Sequence, residues 1–285
     1  MTFDYAQFEW LKIEVDDRVA LVTIDGEGDY NSVSEALHEE LGDIWPILNK
    51  DPDVNSIVIT GAGSKAFSAG GNLNATLSRD ALSSEERYDR IVTDIMRWTR
   101  NLIYNMINCD KPIISAINGA AAGAGTAVAL LADISVMAED TFLTDAHTRL
   151  GIAAGDHACM IWPLLCGMAK SKYYLLTCDR ISGVEAERIG LVSMAVPRDQ
   201  VLPRSMEIAR RLADGPQWAI RMTKNALNQW LRQGGLISSD YSLALEMLNQ
   251  FGPDLEAGIR SHLTKTPPVF PSAHGGSGFL GSPAV

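Results

Sequence analysis

The strongest constraint on the fold is a pattern that occurs twice, in which a short apolar run rich in β-branched residues is followed by glycine, either directly or after one residue. Residues 56–60 form such a run before Gly61, and residues 112–117 form another before Gly119. Runs of this length, bounded by turn residues, are typical of strands buried on both faces of a parallel sheet. The recurrence of strand, glycine-bearing loop and helix predicts an α/β core whose loops gather at one edge of the sheet.

The N-terminal segment adds two strands and a helix to this core. Residues 12–24 alternate apolar and polar side chains around the turn at Asp16 and Asp17, which predicts two short strands. Ser34 is suited to cap a helix with apolar residues at helical spacing, and the Asp51-Pro52 pair ends that pattern.

The C-terminal third is predicted to be mainly helical. Residues 83–108 and 202–249 have helical periodicity, and no strand pattern follows residue 196 or so. We therefore expect three parts, which are a core over residues 1–200, a helical segment over 201–271 and a flexible tail over 272–285.

Composition narrows the function. Hydrophobic residues make up 46% of the chain and charged residues 21%, as in globular proteins. The net charge of -11 argues against a nucleic-acid partner. The N-terminus lacks the apolar run of a signal peptide, and the longest apolar stretch, residues 120–132, is too short to cross a membrane. We expect a soluble, cytoplasmic protein whose cysteines are reduced core thiols, namely Cys109, Cys159, Cys166 and Cys178.

Two loops of small residues carry the functional signal. Residues 65–73 and residues 117–127 each follow a predicted buried strand. Small residues let a ligand oxygen approach the main chain, and a helix start offers N–H groups that lack intrahelical partners. Two such sites facing one point would form an oxyanion hole. The alternative for either loop alone is that glycine and alanine only allow tight packing of a helix on the sheet.

The two loops, their order and residues 175–192 resemble the crotonase (enoyl-CoA hydratase/isomerase) superfamily. The resemblance implies a spiral of ββα units, a C-terminal helical trimerisation segment and assembly as a trimer or a dimer of trimers. It assigns the two oxyanion-hole N–H groups to Gly71 and Ala124. It also implies ligand or CoA contacts at Lys65, Lys265 and Phe270.

The chain departs from hydratases of this superfamily at their two catalytic glutamates. Ala127 stands at the first place, and His147 or Ala146 stands at the second. Residues 145–163 instead resemble the β-diketone hydrolase branch, typified by 6-oxocamphor hydrolase. That resemblance implies catalysis by His147 and Asp156 together with a glutamate from a later helix, for which Glu246 is the best candidate. The 6-oxocamphor enzyme has a histidine at the second oxyanion position, where this chain keeps small residues.

Each of these residues has a catalytic role if the resemblance holds and a structural interpretation without it. His147 would take a proton from water, with a carboxylate holding its other nitrogen, and Asp156 would orient the histidine or deliver the proton to the enolate carbon. Without the resemblance, Asp156 is a helix N-cap candidate and Glu246 a solvated helix residue. His157 is a rival catalytic histidine.

Three classes of function follow. The favoured hypothesis is hydrolytic, retro-Claisen cleavage of a carbon–carbon bond in a β-diketone, either cyclic or open-chain, with Trp162 as a pocket residue. The alternative is a hydratase, isomerase or ring-opening hydrolase acting on a CoA thioester. Several carboxylates in residues 25–29 disfavour a nucleotide phosphate, whereas Lys265 favours one. The third hypothesis is a non-catalytic family member that binds RNA or a protein. We expect no metal and no cofactor other than a CoA thioester substrate.

Overall fold

The computed structural model describes residues 3–79 and 82–274. The strands, in chain order, are β1 (Leu11–Asp16), β2 (Val19–Ile24), β3 (Ser32–Val33), β4 (Ser56–Gly61), β5 (Ala66–Ser68), β6 (Gly70–Gly71), β7 (Ile113–Ile117), β8 (Ala120–Ala122), β9 (Ile134–Ala138), β10 (Phe142–Thr144), β11 (Ile181–Ser182) and β12 (Met194–Val196).

These strands form one large and two smaller sheets. The large sheet has the order β1-β2-β4-β7-β9-β12, and all its neighbours are parallel except the β1–β2 hairpin. A second sheet has the order β11-β10-β8-β5, in which only β11 is antiparallel. Strands β3 and β6 make a short parallel pair. The buried strands predicted at residues 56–60 and 112–117 are β4 and β7 at the centre of the large sheet, which confirms that prediction.

The helices surround these sheets. In chain order they are α1 (Glu35–Lys50), α2 (Leu73–Ser78), α3 (Ser84–Asp89), α4 (Met96–Asn108), α5 (Ala124–Leu131), α6 (Ala158–Thr177), α7 (Gly183–Arg188), α8 (Val201–Ala213), α9 (Gln217–Gly234), α10 (Asp240–Asn249) and α11 (Leu255–Thr264).

The chain winds through these layers as a spiral of ββα units. Each of β4, β7 and β9 belongs to the large sheet, and the next strand along the chain, β5, β8 or β10, belongs to the second sheet. Helix α5 follows β8 and helix α6 follows β10. The predicted α/β class, the ββα spiral and the helical C-terminal segment are therefore confirmed.

Helix α1 shows how sequence determines one of these elements. The Ser34 hydroxyl accepts a hydrogen bond from the Leu37 N–H at 3.2 Å, and the helix ends before Asp51, both as predicted. Its apolar face packs against α4 and belongs to the main hydrophobic core. The fully buried side chains on that face are Leu37, Leu41, Ile44, Trp45 and Leu48.

Some predictions need correction. The helical segment 202–249 is broken before α9 at Pro216, because proline lacks the N–H that would continue α8. A π-helical turn, Gly235–Ser239, then joins α9 to α10, and a second, Arg90–Ile95, joins α3 to α4. Of the four predicted core cysteines, Cys159 is exposed and Cys166 is only half-buried.

The predicted flexible tail, residues 272–285, falls outside the described residues from position 275 onward, and its first residues form a 3₁₀ turn, Pro271–His274. Among the described residues, none of the helices has the length and apolar character needed to cross a membrane.

The packing of α1 makes a quantitative prediction. Leu41 is completely buried, so Leu41→Ala removes apolar contacts and leaves a cavity. We expect a loss of about 2–5 kcal/mol in the free energy of unfolding, measured by urea denaturation. Leu164→Ala on α6 is the matched control because 49% of Leu164 is exposed, and its loss should stay below about 1 kcal/mol. Equal losses in the two variants would contradict this assignment of the core.

Candidate active site

Three parallel strands of the second sheet end side by side and place three loops together. Strand β8 lies between β5 and β10. Because the carboxyl ends of parallel strands meet at one edge, the segments that follow these strands are neighbours. They are residues 69–72, residues 123–126 and residues 145–147, which include both predicted oxyanion positions and His147.

The first two loops contact each other through their backbones. Gly70 has a φ of +80°, and a Cβ atom at this position would lie 2.6 Å from the Ala122 carbonyl oxygen and 3.4 Å from the Ala124 nitrogen. Only glycine fits there. Gly71 is exposed, and Ala124 is the first residue of α5, so its N–H has no acceptor within the helix. The two predicted donor positions thus lie on loops in direct contact.

His147 lies in the third loop between two carboxylates. Its Nδ1 is 2.8 Å from Oδ1 of Asp145, and its Nε2 is 3.9 Å from Oε1 of Glu246. Asp145 follows β10 directly and is almost completely buried. The short Nδ1 contact fixes the orientation of the ring and places a proton on Nδ1, which leaves Nε2 for chemistry. Asp145, which sequence reasoning did not single out, is the carboxylate that orients this histidine.

An Asp156 that oriented His147 would be hydrogen-bonded to that imidazole, but its partner is His157. Its Oδ1 accepts from the His157 backbone N–H at 2.6 Å and lies 2.7 Å from the His157 Nδ1. His157 is completely buried, directly before α6. The N-cap interpretation of Asp156 is therefore wrong, since His157 occupies that position without a side-chain capping bond.

Glu246 is buried rather than solvated, which excludes the surface interpretation of this residue. It lies on α10, and the Gly155 loop holds that helix against the core. The Ser242 hydroxyl donates to the Gly155 carbonyl oxygen at 2.7 Å. A Cβ atom at Gly155 would lie 2.5 Å from the Glu246 Cβ, so glycine permits this approach.

Electrostatics in this cluster favour retention of protons. Burial alone would lower the pKa of His147, but the charges of Asp145 and Asp156, the Asp145 hydrogen bond and Glu246 together raise it well above its ordinary value of 6.5. Burial and the negative charges of Asp156 and Asp145 raise the pKa of Glu246 to about 8, against the opposing charge of His147. Burial would raise the pKa of Asp156, yet the imidazoles of His157 and His147 hold it well below its ordinary range. At neutral pH the unliganded site thus has an imidazolium at His147 and a neutral acid at Glu246.

Several buried polar atoms in this cluster have no hydrogen-bond partner within the described part of the chain. They are Oδ2 of Asp145, Oε2 of Glu246 and Nε2 of His157. Because buried polar atoms are rarely left unpaired in folded proteins, such atoms mark positions where water or a bound ligand forms bonds.

Asp145, His147 and Asp156 also offer ligand atoms within 4.8 Å of one another, a spacing that a metal ion could use. However, Asp145 is bonded to His147, and Asp156 is bonded to His157. These pairings suit proton transfer more than metal binding.

The other predicted contact residues lie at varied places. Lys65 is exposed at the start of the first loop, with Nζ 5.8 Å from the centre of the Tyr30 ring. Trp162 is fully buried in the main core. Lys265 is exposed at the end of α11, and Phe270 is half-buried beyond it.

The protonation of His147 can be tested directly. Asp145→Asn removes one negative charge and leaves only a neutral amide oxygen to accept from Nδ1, so we expect the pKa of His147 to fall, as measured by NMR titration of the imidazole. Since the folded-state pKa is raised, the stabilisation from His147 is complete below pH 6.5 and is lost as the pH rises through that raised value. Asp145→Asn should reduce this loss. Asp179→Asn, at an exposed residue, is the control, and an unchanged His147 titration in Asp145→Asn would contradict the pairing.

Comparison with known proteins agrees with this architecture. The family model described as enoyl-CoA hydratase/isomerase matches residues 14–273. The crotonyl-CoA hydratase of Syntrophomonas wolfei is 30% identical over 79% of this chain and 84% of its own length. A solved enoyl-CoA hydratase/isomerase from Mycobacterium paratuberculosis is 30% identical with a TM-score of 0.81, covering 88% of this chain and 98% of that one.

A β-diketone hydrolase from the cyanobacterium Anabaena, solved with (S)-3-oxocyclohexyl acetic acid, is also similar. It is 26% identical with a TM-score of 0.74, covering 86% of this chain and 96% of that one. The match of the family model to nearly the whole chain, together with the fold and the paired loops, shows that this protein belongs to the enoyl-CoA hydratase/isomerase family of the crotonase superfamily.

Proposed function

We propose that this enzyme hydrolyses a carbon–carbon bond in a β-diketone, with His147, Asp156 and Glu246 as the reacting side chains. The proposal depends chiefly on one observation, which is that His147 is oriented by Asp145 and lies beside Glu246 at the edge where the two glycine-rich loops end. Ala127, where the family's hydratases have a glutamate, is a buried apolar residue of α5.

The first step is addition of water to one ketone. His147 takes a proton from water at Nε2, while Asp145 holds the proton on Nδ1 and stabilises the imidazolium that forms. The new carbon–oxygen bond converts the carbonyl into an oxyanion. Backbone N–H groups of Gly71 and Ala124 would stabilise this charge, since each donor in an oxyanion hole lowers the barrier by about 3 kcal/mol.

The second step breaks the bond between the attacked carbon and the central carbon of the diketone. The electron pair of that bond forms an enolate on the remaining ketone, and the attacked carbon becomes a carboxylic acid. The enolate carbon then takes a proton from the imidazolium of His147 or from the neutral acid of Glu246. Asp156, ionised beside both, offsets the positive charge on His147 during the cycle.

The acidic surroundings of the loops support a substrate without phosphates. The Asn72 amide donates to Oε2 of Glu27 at 2.7 Å, so a carboxylate lies one residue from the proposed donor Gly71. Negative charge at this place repels the diphosphate of a CoA ester. The Anabaena β-diketone hydrolase, whose bound ligand is a cyclic keto acid, provides a precedent for the reaction within this fold.

The second candidate is a hydratase or isomerase acting on a CoA thioester. The names of the relatives support this candidate better than the first, because most are called enoyl-CoA hydratases. The same oxyanion hole would stabilise a thioester enolate, and Lys65 and Lys265 would meet the nucleotide. Retention on immobilised CoA separates the two candidates.

We predict that the purified enzyme hydrolyses cyclic 1,3-diketones to keto acids, followed by chromatography of the product and by loss of enol absorbance for enolising substrates. His147→Ala should lower kcat by roughly 10²–10⁴-fold, the usual contribution of acid–base catalysis. Asp156→Ala should also lower kcat, because the positive charge that forms on His147 loses its compensating carboxylate. The rate should rise with pH above neutrality, because His147 must lose its proton before it can act as a base.

Two matched controls accompany this test. His262→Ala and Asp179→Ala change exposed residues and should leave kcat at the wild-type value. Absence of diketone turnover, combined with hydration or isomerisation of an enoyl-CoA, would sink the hydrolase proposal and favour the thioester candidate.

We also propose a homotrimer, assembled singly or as a dimer of trimers. The C-terminal helices expose large apolar side chains, and a surface patch of this kind is typical of a subunit interface. The exposed apolar side chains of this patch are Trp218, Met222, Leu227, Trp230, Leu236, Ile237, Tyr241 and Leu248.

Light scattering should give a mass that is a multiple of three chains. Ile237→Asp should yield smaller species, because a charge in an apolar interface must be desolvated without a partner. Leu263→Asp, an exposed position on α11, should keep the wild-type mass. A monomeric wild-type protein would overturn the assembly proposal.

A further inference from the structure

The imidazole of His157 has no part in the proposed proton transfers. It is completely buried, so no part of the ring is open to a substrate. Its Nδ1 lies 2.7 Å from Oδ1 of Asp156, and its buried Nε2 has no hydrogen-bond partner among the described residues. An unpaired buried nitrogen is unfavourable, so stability alone would favour an apolar side chain at this position. The role of the ring must therefore be sought in its bond to Asp156.

His157 holds Asp156 by two groups at once. Oδ1 of Asp156 accepts from the His157 backbone N–H at 2.6 Å and lies against the ring nitrogen of the same residue. The backbone of His157 is itself fixed, because its carbonyl oxygen accepts the N–H groups of Met160 and Ile161 at 3.1 and 3.0 Å in the first turn of α6. Asp156 is therefore anchored to the beginning of a helix.

Asp156 lies close to His147 without being bonded to it. Asp145, His147 and Asp156 offer ligand atoms within 4.8 Å of one another. In the part of the chain that the structure describes, however, the ion pairs of His147 are with Asp145 and Glu246 and not with Asp156. Opposite charges at this separation attract each other. A carboxylate that was free to move would thus pair with the imidazolium of His147.

We propose that His157 is a positioning residue that holds Asp156 apart from His147. At this distance, Asp156 stabilises the imidazolium when it forms but does not hold its proton through a direct bond. This inference rests on the proposed function, in which His147 must lose its proton before it can activate water.

The other titratable groups around the catalytic imidazole leave this adjustment to Asp156. Asp145 already bonds to Nδ1, and Glu246 on α10 retains its proton at neutral pH because burial raises its pKa to about 8. Partial burial and the nearby carboxylates raise the pKa of the Cys159 thiol on α6. Burial lowers the pKa of His38 on α1, whose ring is affected by the charge of Asp156, to about 4. Asp156 is therefore the carboxylate whose distance can still alter the proton affinity of the base.

The test compares His157→Leu with His157→Asn in the hydrolysis of 2,2-dimethylcyclohexane-1,3-dione. This substrate has no acidic proton between its carbonyls, so the dependence of kcat on pH reports the enzyme. In His157→Leu, Asp156 should pair with His147 and move the midpoint of the rise in kcat upward by about one pH unit. At a pH below both midpoints, kcat should then fall about tenfold. KM should not change, since His157 does not contact the substrate.

His157→Asn should keep the wild-type midpoint, because its amide donates from nearly the position of the imidazole Nδ1. A purely structural role predicts the opposite order of the two variants. Leucine fills the space and removes the unpaired nitrogen, whereas asparagine is smaller and leaves a cavity. In an Asp156→Ala background, His157→Leu should not move the midpoint further, because its effect is transmitted through Asp156.

Ser171→Ala is the matched control and should keep the wild-type profile. Ser171 is buried on the same helix and donates to the Gly167 carbonyl oxygen at 2.9 Å, far along the chain from Asp156. If His157→Leu does not fold, His157→Gln replaces it, since its amide reaches the position of Nε2 rather than Nδ1.

Three results would overturn this inference while the proposed function stands. They are a wild-type midpoint in a folded His157→Leu protein, equal shifts in the leucine and asparagine variants, and a shift that persists in the Asp156→Ala background. If the wild-type enzyme does not hydrolyse the diketone, the proposed function fails, and NMR titration of the His147 imidazole decides the inference. A raised pKa of His147 in His157→Leu but not in His157→Asn supports it, and an unchanged titration overturns it.

Discussion

The parallel pairing of β5, β8 and β10 is the interaction on which the rest of the site depends. It brings three loops from separate parts of the chain to one edge. The contact at Gly70 then sets the distance between the first two loops at the limit of backbone packing. Anion-stabilising groups at this edge belong to the main chain, so their positions follow from the sheet and require no particular side chain.

The third loop adds side-chain chemistry at an energetic cost. Three carboxylates surround one imidazole in a buried space, and burial of charge is unfavourable unless the charge is paired. The cluster lowers this cost by holding protons on His147 and Glu246. The charges that reduce the cost of burial at neutral pH also keep the catalytic base, His147, protonated. This is a compromise between stability and reactivity.

Sequence patterns predicted the repeating elements well because their signals are local. The β-branched runs of β4 and β7 and the Ser34 cap need no information from distant residues. The orienting role of Asp145 was missed because a single aspartate after a strand resembles any turn residue, and only its burial beside His147 distinguishes it. The contact between His38 and Trp98 was equally inaccessible, since the two helices that carry them meet only after tertiary packing.

The close contact between Gly155 and α10 has a consequence for how activity arises during folding. Glu246 reaches His147, about a hundred residues away along the chain, only when the C-terminal helices dock on the finished ββα core. Contacts between such distant segments form late, because the entropy of closing a long loop must first be overcome. A core that has already formed its sheets and its glycine-rich loops would therefore still lack the complete acid–base cluster, and chemical competence would be among the last properties that the folding chain acquires.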